Sequence, residues 1–129
     1  MKIIILGAGQ VGTSMGEILS REDNDVTLVD IDAAKLAGLQ DRLDLRTVSG
    51  AASHPSVLER AGVQDADLLL AVTNQDEVNM ASCQIAHSLF NTPKKIARIR
   101  SAEYLSHPGI FTDDAIPIDV IISPEHIIT

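Results

Sequence analysis

The chain has 129 residues, of which 45% are hydrophobic and 2% aromatic, so it is long enough for one domain with an aliphatic core that needs no disulfide or metal. Its formal net charge of -8 opposes binding to nucleic acid or to anionic membrane surfaces through bulk electrostatics. No apolar run reaches the roughly 18 residues of a membrane-spanning helix, and the N-terminus lacks the regions of a signal peptide, so we expect a cytosolic domain with no membrane insertion.

The first predicted element is a short apolar strand that leads into a glycine-rich turn. Lys2–Leu6 is followed by Gly7, Gly9 and Gly12 in the spacing Gly-x-Gly-x-x-Gly, and apolar residues then recur at helical spacing at positions 11, 15, 18 and 19. In this motif the first glycine permits the tight turn, the second lets the main chain approach a pyrophosphate, and the third lets the helix pack closely on the sheet. The N–H groups at the start of that helix are expected to point at the phosphates.

An acidic residue ends the second predicted strand, at residues 26–30. Asp30 lies eighteen residues after Gly12, where its carboxylate can accept hydrogen bonds from both hydroxyls of an adenosine ribose. Strand, glycines, helix pattern and acid agree, which favours a dinucleotide site over a glycine-rich turn that binds nothing. Asp32 stands at the N-cap of a second helix that runs to about residue 39. Its carboxylate could also touch the ribose, but capping is the favoured interpretation.

The next segment predicts a third strand at residues 45–48 and a short helix after it. The sequence Ser-His-Pro at 53–55 opens this helix, because proline is suited to the first helical turn. Positions 57, 58 and 61 then face the core, and Gly62 ends the helix.

A polar string follows the fourth predicted strand, residues 67–72, whose continuous apolar run is typical of a strand buried on both faces. Two capping boxes overlap in it, Thr73 with Asp76 and Asn74 with Glu77, ahead of a long helix from about 75 to 89. For Asp76 and Glu77, capping and ligand contact are equal alternatives. Thr73 and Asn74 lie at the carboxyl end of a strand beside the switch point of the sheet, so they can cap the helix and line a ligand site together.

The only cysteine of the chain, Cys83, falls within this long helix. We interpret it as a small core residue rather than an activated thiol. The four histidines are scattered, no cysteine pair exists, and no nucleophile–base set can be assembled from the spacing. We therefore expect no metal site and no catalytic residues.

Two arginines lie on the fifth predicted strand, residues 95–100. The isoleucines at 96 and 99 alternate with basic residues, which indicates a strand nearer the sheet edge than the fourth. Arg98 and Arg100 are two positions apart and are expected to share a face, from which either can donate to phosphate. The equal alternative is a surface pair that faces acidic side chains.

The last segment predicts a short helix at 102–105, an irregular stretch, a sixth strand at 119–122 and a helix that starts at 124–126. Because that helix stops after one turn, we expect a fragment of a longer protein. Six strands alternating with helices predict an α/β fold, a doubly wound parallel Rossmann sheet in the order 3-2-1-4-5-6, with residues 1–129 as a single domain.

Several of these segments together resemble the RCK (KTN) domain, and more closely the first such domain of a Trk-type potassium-uptake regulatory subunit. The resemblance spans the whole chain. It rests on the glycine turn, Asp30 within Val-Asp-Ile-Asp, residues 50–62, Thr-Asn-x-Asp-Glu-x-Asn at 73–79, and Ala-Arg-Ile-Arg at 97–100. One departure is Ala51, where many members have aspartate, which affects the expected contacts near adenine.

The resemblance implies a cytosolic nucleotide sensor that binds NAD(H), and also ATP or ADP, in one cleft. It implies homo-oligomeric rings that gate a membrane potassium transporter, so that the domain is peripheral at the inner face of the membrane. By this resemblance the glycine turn surrounds the phosphates, Asp30 binds the adenosine ribose, Thr73 and Asn74 line the cleft, and one of the two arginines contacts phosphate. The implied site residues are Gly7, Gly9, Gln10, Val11, Gly12, Asp30, Thr73, Asn74, and Arg98 or Arg100.

Two alternatives remain at this point. The first is a nucleotide-binding fragment of an NAD-dependent oxidoreductase, although hydride transfer needs a substrate site and usually a second domain. The second is an interaction module with a vestigial cleft, which the intact glycines and Asp30 disfavour. The regulatory, non-enzymatic interpretation is the main prediction.

Overall fold

The chain folds around one seven-stranded sheet. The computed structural model describes residues 1–123 and the strand at Ile127–Ile128. The strand order is β3-β2-β1-β4-β5-β6-β7, and the first six strands pair in parallel, which confirms the predicted order 3-2-1-4-5-6. In chain order the strands are β1 (Lys2–Leu6), β2 (Asp25–Asp30), β3 (Arg46–Ser49), β4 (Leu68–Ala71), β5 (Lys94–Arg98), β6 (Val120–Ile122) and β7 (Ile127–Ile128).

The seventh strand was not predicted. β7 has two residues and pairs antiparallel with β6, so it adds one short strand to the sheet. The helix predicted to start at 124–126 falls on residues outside those that the structure describes.

Helices cover both faces of the sheet. They are α1 (Gln10–Arg21), α2 (Ala33–Arg42), α3 (Pro55–Ala61), α4 (Asp76–Phe90) and α5 (Ala102–Leu105), with 3-10 turns at Val63–Asp65 and Pro108–Ile110. Ile3 and Ile5 of β1 pack on the α1 and α2 side, and Ile4 and Leu6 pack on the α3 and α4 side. Alternate residues of one strand thus enter opposite cores, which confirms the doubly wound fold.

The predicted apolar stripe of α1 is partly wrong. Ile18 is 56% exposed, whereas Gly12 and Gly16 are the buried positions of this helix. The two glycines lie at the centre of the contact face and let α1 approach the sheet, so the face turns away from Ile18. A stripe counted from large apolar residues alone misses this rotation.

Other local signals are confirmed. The Asp32 side chain caps α2 by accepting from the Lys35 amide at 3.1 Å, and Gly62 ends α3 with φ +92°. Cys83 is fully buried, and burial raises the pKa of its thiol to about 12. In the described residues no helix is both long and apolar enough to span a membrane.

Strand β5 buries one of its basic residues. Its position beyond β4 is as predicted, but Lys95 is 3% exposed and Ile99 is fully buried. The Lys95 ammonium donates to the Thr92 carbonyl oxygen at 2.9 Å and lies 3.6 Å from the Asp119 carboxylate. A buried lysine is tolerated here because its charge is paired and hydrogen-bonded.

Candidate functional site

The carboxyl ends of five parallel strands open into one cleft. Its volume is about 500 Å³, within the range of small-molecule sites. The walls come from residues 7, 9 and 11 after β1, 29–32 and 35 around the end of β2, 50–53 after β3, 72–75 and 78 after β4, and Arg98 at the end of β5. The cleft lies beside β1 and β4, where the strand order reverses and open α/β sheets bind ligands.

Two glycines of the β1–α1 turn are required by the fold itself. Gly7 has φ +106°, and a Cβ atom there would lie 2.8 Å from the Thr73 Cα. A Cβ atom on Gly12 would overlap the carbonyl oxygen of Gly7, so only glycine lets α1 start this close to the strand. Gly7 is part of the cleft wall, whereas Gly12 is buried behind it.

The fold does not require glycine at the middle position of the motif, Gly9. Gly9 is exposed, its backbone is in the ordinary extended region at φ -76°, and a Cβ atom there would meet no protein atom within 4 Å. The open space in front of Gly9 belongs to the cleft, which Gly9 lines. A side chain at this position would therefore reduce the cleft without straining the fold.

Helix α1 presents an uncapped N-terminus to this space. Its N-cap is Gly9, no side chain accepts from its first amides, and its first turn holds no acidic residue. The first N–H groups of a helix have no partner inside the helix and carry the positive end of its dipole, an arrangement that suits an anion. Val11 lines the cleft, and Gln10 is exposed beside it without being part of its lining.

Asp30 is held in place by main-chain donors from two sides. Its Oδ2 accepts from the Ala8 amide at 2.7 Å, and its Oδ1 accepts from the Asp32 amide at 2.8 Å. Each carboxylate oxygen has about two acceptor positions, so each keeps one for a ligand. The residue lines the cleft, and its geometry suits two hydroxyl donors on one ligand.

Thr73 and Asn74 lie in the opposite wall, in the β4–α4 loop. The Thr73 hydroxyl is 2.7 Å from Asn79 Oδ1 and accepts from the Gln75 amide at 3.2 Å. Asn74 is exposed, and its carbonyl oxygen accepts from the Arg100 guanidinium at 3.0 Å. Both residues line the cleft, and their contact with a ligand stays a prediction.

The two predicted capping boxes are wrong. The N-cap of α4 is Gln75, and no side chain caps the helix. The Asp76 carboxylate instead accepts from the amides of Arg100 and Ser101, at 2.8–3.1 Å, because the β5–α5 loop lies against the start of α4. Asp76 thus links two loops that sequence spacing does not relate.

Glu77 also bonds outward rather than to its own helix. It accepts from the Tyr104 hydroxyl at 2.8 Å. This bond favours the ionised acid, so it lowers the pKa of Glu77 and raises the pKa of Tyr104. Neither Asp76 nor Glu77 is part of the cleft lining.

The two arginines do not share a role in the structure. Arg98 is the last residue of β5, is half-buried and lines the cleft. Arg100 is exposed, follows the strand and lies outside the lining, with its guanidinium on the Asn74 carbonyl oxygen. The strand ends before Arg100, so the two-residue repeat that would place both side chains on one face no longer applies.

A match to a family model shows the protein family of this chain. The model of the TrkA-N domain matches residues 3–124. The chain belongs to the TrkA-N domain family. Two relatives carry the name Trk system potassium uptake protein TrkA: that of Halomonas elongata is 61% identical over 129 residues, and that of Vibrio alginolyticus is 59% identical over 130 residues. Each alignment covers 100% of this TrkA-N chain and 28% of the relative, so the chain spans less than a third of their length.

Solved structures share the fold. The TrkA-N domain of the Escherichia coli inner membrane protein ybaL has a TM-score of 0.83 at 18% identity, covering 96% of this chain and 87% of that one. The GsuK channel bound to NAD has a TM-score of 0.73 at 20% identity, with 88% and 20% coverage. GsuK bound to ADP has a TM-score of 0.75 at 23% identity, with 95% and 30% coverage.

Some cleft residues of this TrkA-N domain escaped the sequence analysis. Lys35, in the first turn of α2, lines the cleft beside Asp30 and Asp32, and residues 50–53 form its wall at β3, with Ala51 at the point where the family pattern departs. Lys35 was missed because capping was the favoured interpretation of Asp32, and the predicted site was not extended into the first turn of α2. Its signal would have been the helical spacing from the acid that ends β2, since a residue of the first turn faces the same edge of the sheet.

Metal ligands are not grouped in the described part of the domain. No cluster of three or more His, Cys, Asp or Glu residues that could hold a metal ion occurs there. The cationic side chains in the described cleft wall are those of Lys35 and Arg98.

Proposed function

We propose that this TrkA-N domain is a nucleotide sensor that binds NAD(H), and ATP or ADP, in the same cleft. The observation that carries the proposal is the empty space in front of Gly9, which faces the uncapped start of α1. The fold does not require glycine at this position, but a pyrophosphate that approaches the main chain does. The phosphates would lie against the amides of residues 10–12.

The adenosine half of the ligand would occupy the wall formed by β2 and β3. Asp30 keeps one acceptor position on each carboxylate oxygen, which matches the two hydroxyls of a ribose. GsuK has been solved with NAD and with ADP. Both ligands contain adenosine and a pyrophosphate, which supports a common site for the two in this domain.

The output of the domain would be regulatory rather than catalytic. Its relatives are named as potassium uptake proteins, and we propose that the domain is the N-terminal part of a longer subunit that forms a homo-oligomeric ring. This ring would sit at the cytoplasmic face of the membrane through a potassium-transporter subunit and gate it. A nucleotide gates only if it binds two conformations of the ring with different affinities.

Calorimetric titration with NADH, NAD, ATP and ADP tests the proposal. Native protein should bind all four, and Gly9→Val should lose all four, since the new side chain fills the space of the pyrophosphate while its Cβ meets no protein atom. Gly109→Val is the matched control, because a Cβ there also meets no protein atom and Gly109 lies outside the cleft lining. Normal ATP binding by Gly9→Val would place ATP at a second site.

The oxidoreductase alternative makes a different prediction. A dehydrogenase fragment would consume NADH when a carbonyl substrate is supplied, whereas a sensor returns it unchanged. NADH absorbance followed over hours with the native protein and an added carbonyl substrate separates the two, and steady oxidation above the rate of Gly9→Val would overturn the regulatory assignment.

A further inference from the structure

A carboxamide side chain is buried in the inner face of α4. Asn79 is fully buried, on a helix whose other inward side chains include Met80, Cys83 and Ala86. A carboxamide in such surroundings costs free energy unless its hydrogen bonds are made. The hydrogen-bond partners of Asn79 therefore explain why its side chain is tolerated there.

All of the hydrogen-bonding capacity of Asn79 is used. Its Oδ1 accepts from the Thr73 amide at 3.0 Å and lies 2.7 Å from the Thr73 hydroxyl. Its Nδ2 donates to the Thr73 carbonyl oxygen at 3.2 Å and to the Arg98 carbonyl oxygen at 2.8 Å. Four bonds match the two donors and the two lone pairs of an amide side chain.

Both partners of Asn79 line the cleft. Thr73 follows β4 and Arg98 ends β5, so a single carboxamide ties together the two strand ends that form one half of the site. The other half, with Asp30 and residues 50–53, has no hydrogen bond to Asn79. The asymmetry suggests that Asn79 acts on one half of a ligand.

We propose that Asn79 is a positioning residue for the half of the cleft over β4 and β5, and so for the second nucleotide of a dinucleotide. The inference rests on the proposed nucleotide-binding function. A dinucleotide spans both halves of such a site, whereas AMP needs only the glycine turn and the ribose-binding acid. Loss of the hydrogen bonds that hold Thr73 and Arg98 should therefore weaken the binding of a dinucleotide and leave the binding of AMP unchanged.

The test compares the dissociation constants of NADH and AMP in native protein and in Asn79→Asp. Aspartate has the same shape and keeps the acceptors for the Thr73 amide and hydroxyl, but an ionised carboxylate loses the donors to the Thr73 and Arg98 carbonyl oxygens. We expect NADH binding to weaken by about tenfold, because the Thr73 and Arg98 carbonyl oxygens both lose their Asn79 donor, and AMP binding to change by less than twofold. A residue needed only for general stability would change both constants together.

Met80→Ala is the matched control. It opens a cavity at the neighbouring position of the same helix but lies outside the cleft lining, so it should lower stability and leave both constants unchanged. If Asn79→Asp does not unfold cooperatively, Asn79→Ser replaces it, since a serine hydroxyl is too short to bridge Thr73 and Arg98.

The remaining outcomes overturn the proposal in distinct ways. Equal losses of NADH and AMP, or no loss in a folded variant, would overturn the positioning role while leaving the nucleotide site intact. Failure of both variants to fold would assign Asn79 to the fold itself. Native protein that binds neither NADH nor AMP would overturn the proposed function, and this inference with it.

Discussion

Opposite charges meet at the end of the cleft where β2 finishes, and they bear on the choice of dinucleotide. Asp30 and Asp32 line this end together with Lys35. A 2′-phosphate would lie against the Asp30 carboxylate, so we expect the domain to prefer NADH to NADPH. Once that carboxylate is removed, the positive charge of Lys35 would favour the binding of NADPH through its 2′-phosphate.

Substitutions at these positions should separate the two effects. Asp30→Ala should weaken NADH by about 1.5–3 kcal/mol, the range for hydrogen bonds to charged groups, and should narrow the discrimination against NADPH. Adding Lys35→Ala to the Asp30→Ala variant should increase the preference for NADH over NADPH again. Dissociation constants of both dinucleotides decide the point, and equal affinity of the native domain for NADH and NADPH would contradict the role assigned to Asp30.

The two arginines form a natural pair of variant and control. Arg98 lines the cleft, whereas the Arg100 guanidinium bonds the Asn74 carbonyl oxygen outside the lining. Arg98→Ala should weaken ATP more than NADH, because a triphosphate needs more positive compensation in a domain of net charge -8. The loss for ATP should be about 1.5–3 kcal/mol, and Arg100→Ala should change either ligand little.

Titrations of both variants at two salt concentrations measure these effects. ATP binding should be the more salt-sensitive, since exposed charge contacts are screened. Equal losses of ATP and NADH in Arg98→Ala would show that this arginine serves the fold or a subunit contact instead of phosphate.

At the scale of an element, helix α2 carries a glycine that its structure does not use. Gly38 is exposed within the helix, and a Cβ atom there would meet nothing within 4 Å. Gly38→Ala should raise the free energy of unfolding by about 0.5–1 kcal/mol, because glycine is a poor helix former. Denaturant unfolding measures the change.

The same substitution in α1 supplies the control. Gly12→Ala should be strongly destabilising, since its Cβ would overlap the Gly7 carbonyl oxygen. A loss of stability in Gly38→Ala would mean that the exposed face of α2 contacts another surface.

Elements were predictable from sequence wherever their signal was local. The Asp32 cap and the Gly62 stop lie within a few residues of the helix ends that they determine, and both were confirmed. The capping boxes at 73–77 failed for the complementary reason. The carboxylates of Asp76 and Glu77 accept hydrogen bonds from the β5–α5 loop and from α5, and nothing in the spacing of one helix start indicates a loop from a distant part of the chain.

The candidate site was predictable to the same extent. The glycine turn and Asp30 belong to one βαβ unit, so their proximity followed from the motif. Residues 50–53 and the bonds of Asn79 depend on how separate units meet, which the strand order alone does not specify. Lys95 illustrates the point for the core, because its burial depends on Asp119 of a later segment.

At the scale of the whole molecule, the cleft exists only when five strand ends are assembled. A ligand that binds the native state alone should therefore stabilise the entire domain, by about 2.7 kcal/mol at a free concentration of one hundred times its Kd. Thermal unfolding at rising NADH or ATP should show an increasing Tm. Since both ligands need the same turn, saturating amounts of the two together should add little to the larger single shift, and additive shifts would indicate two sites.

Strand β1 precedes both of its neighbouring strands in the chain but lies inside the sheet. It pairs with β2 on one side and with β4 on the other. While the chain emerges from the ribosome, β1, β2 and β3 can associate at once, but the other edge of β1 keeps unpaired N–H and C=O groups until residues 68–71 arrive. An apolar strand with an open edge is a template for another copy of the same chain. We therefore expect nascent chains stalled before β4 to aggregate with one another, even though the completed domain encloses this strand on both sides.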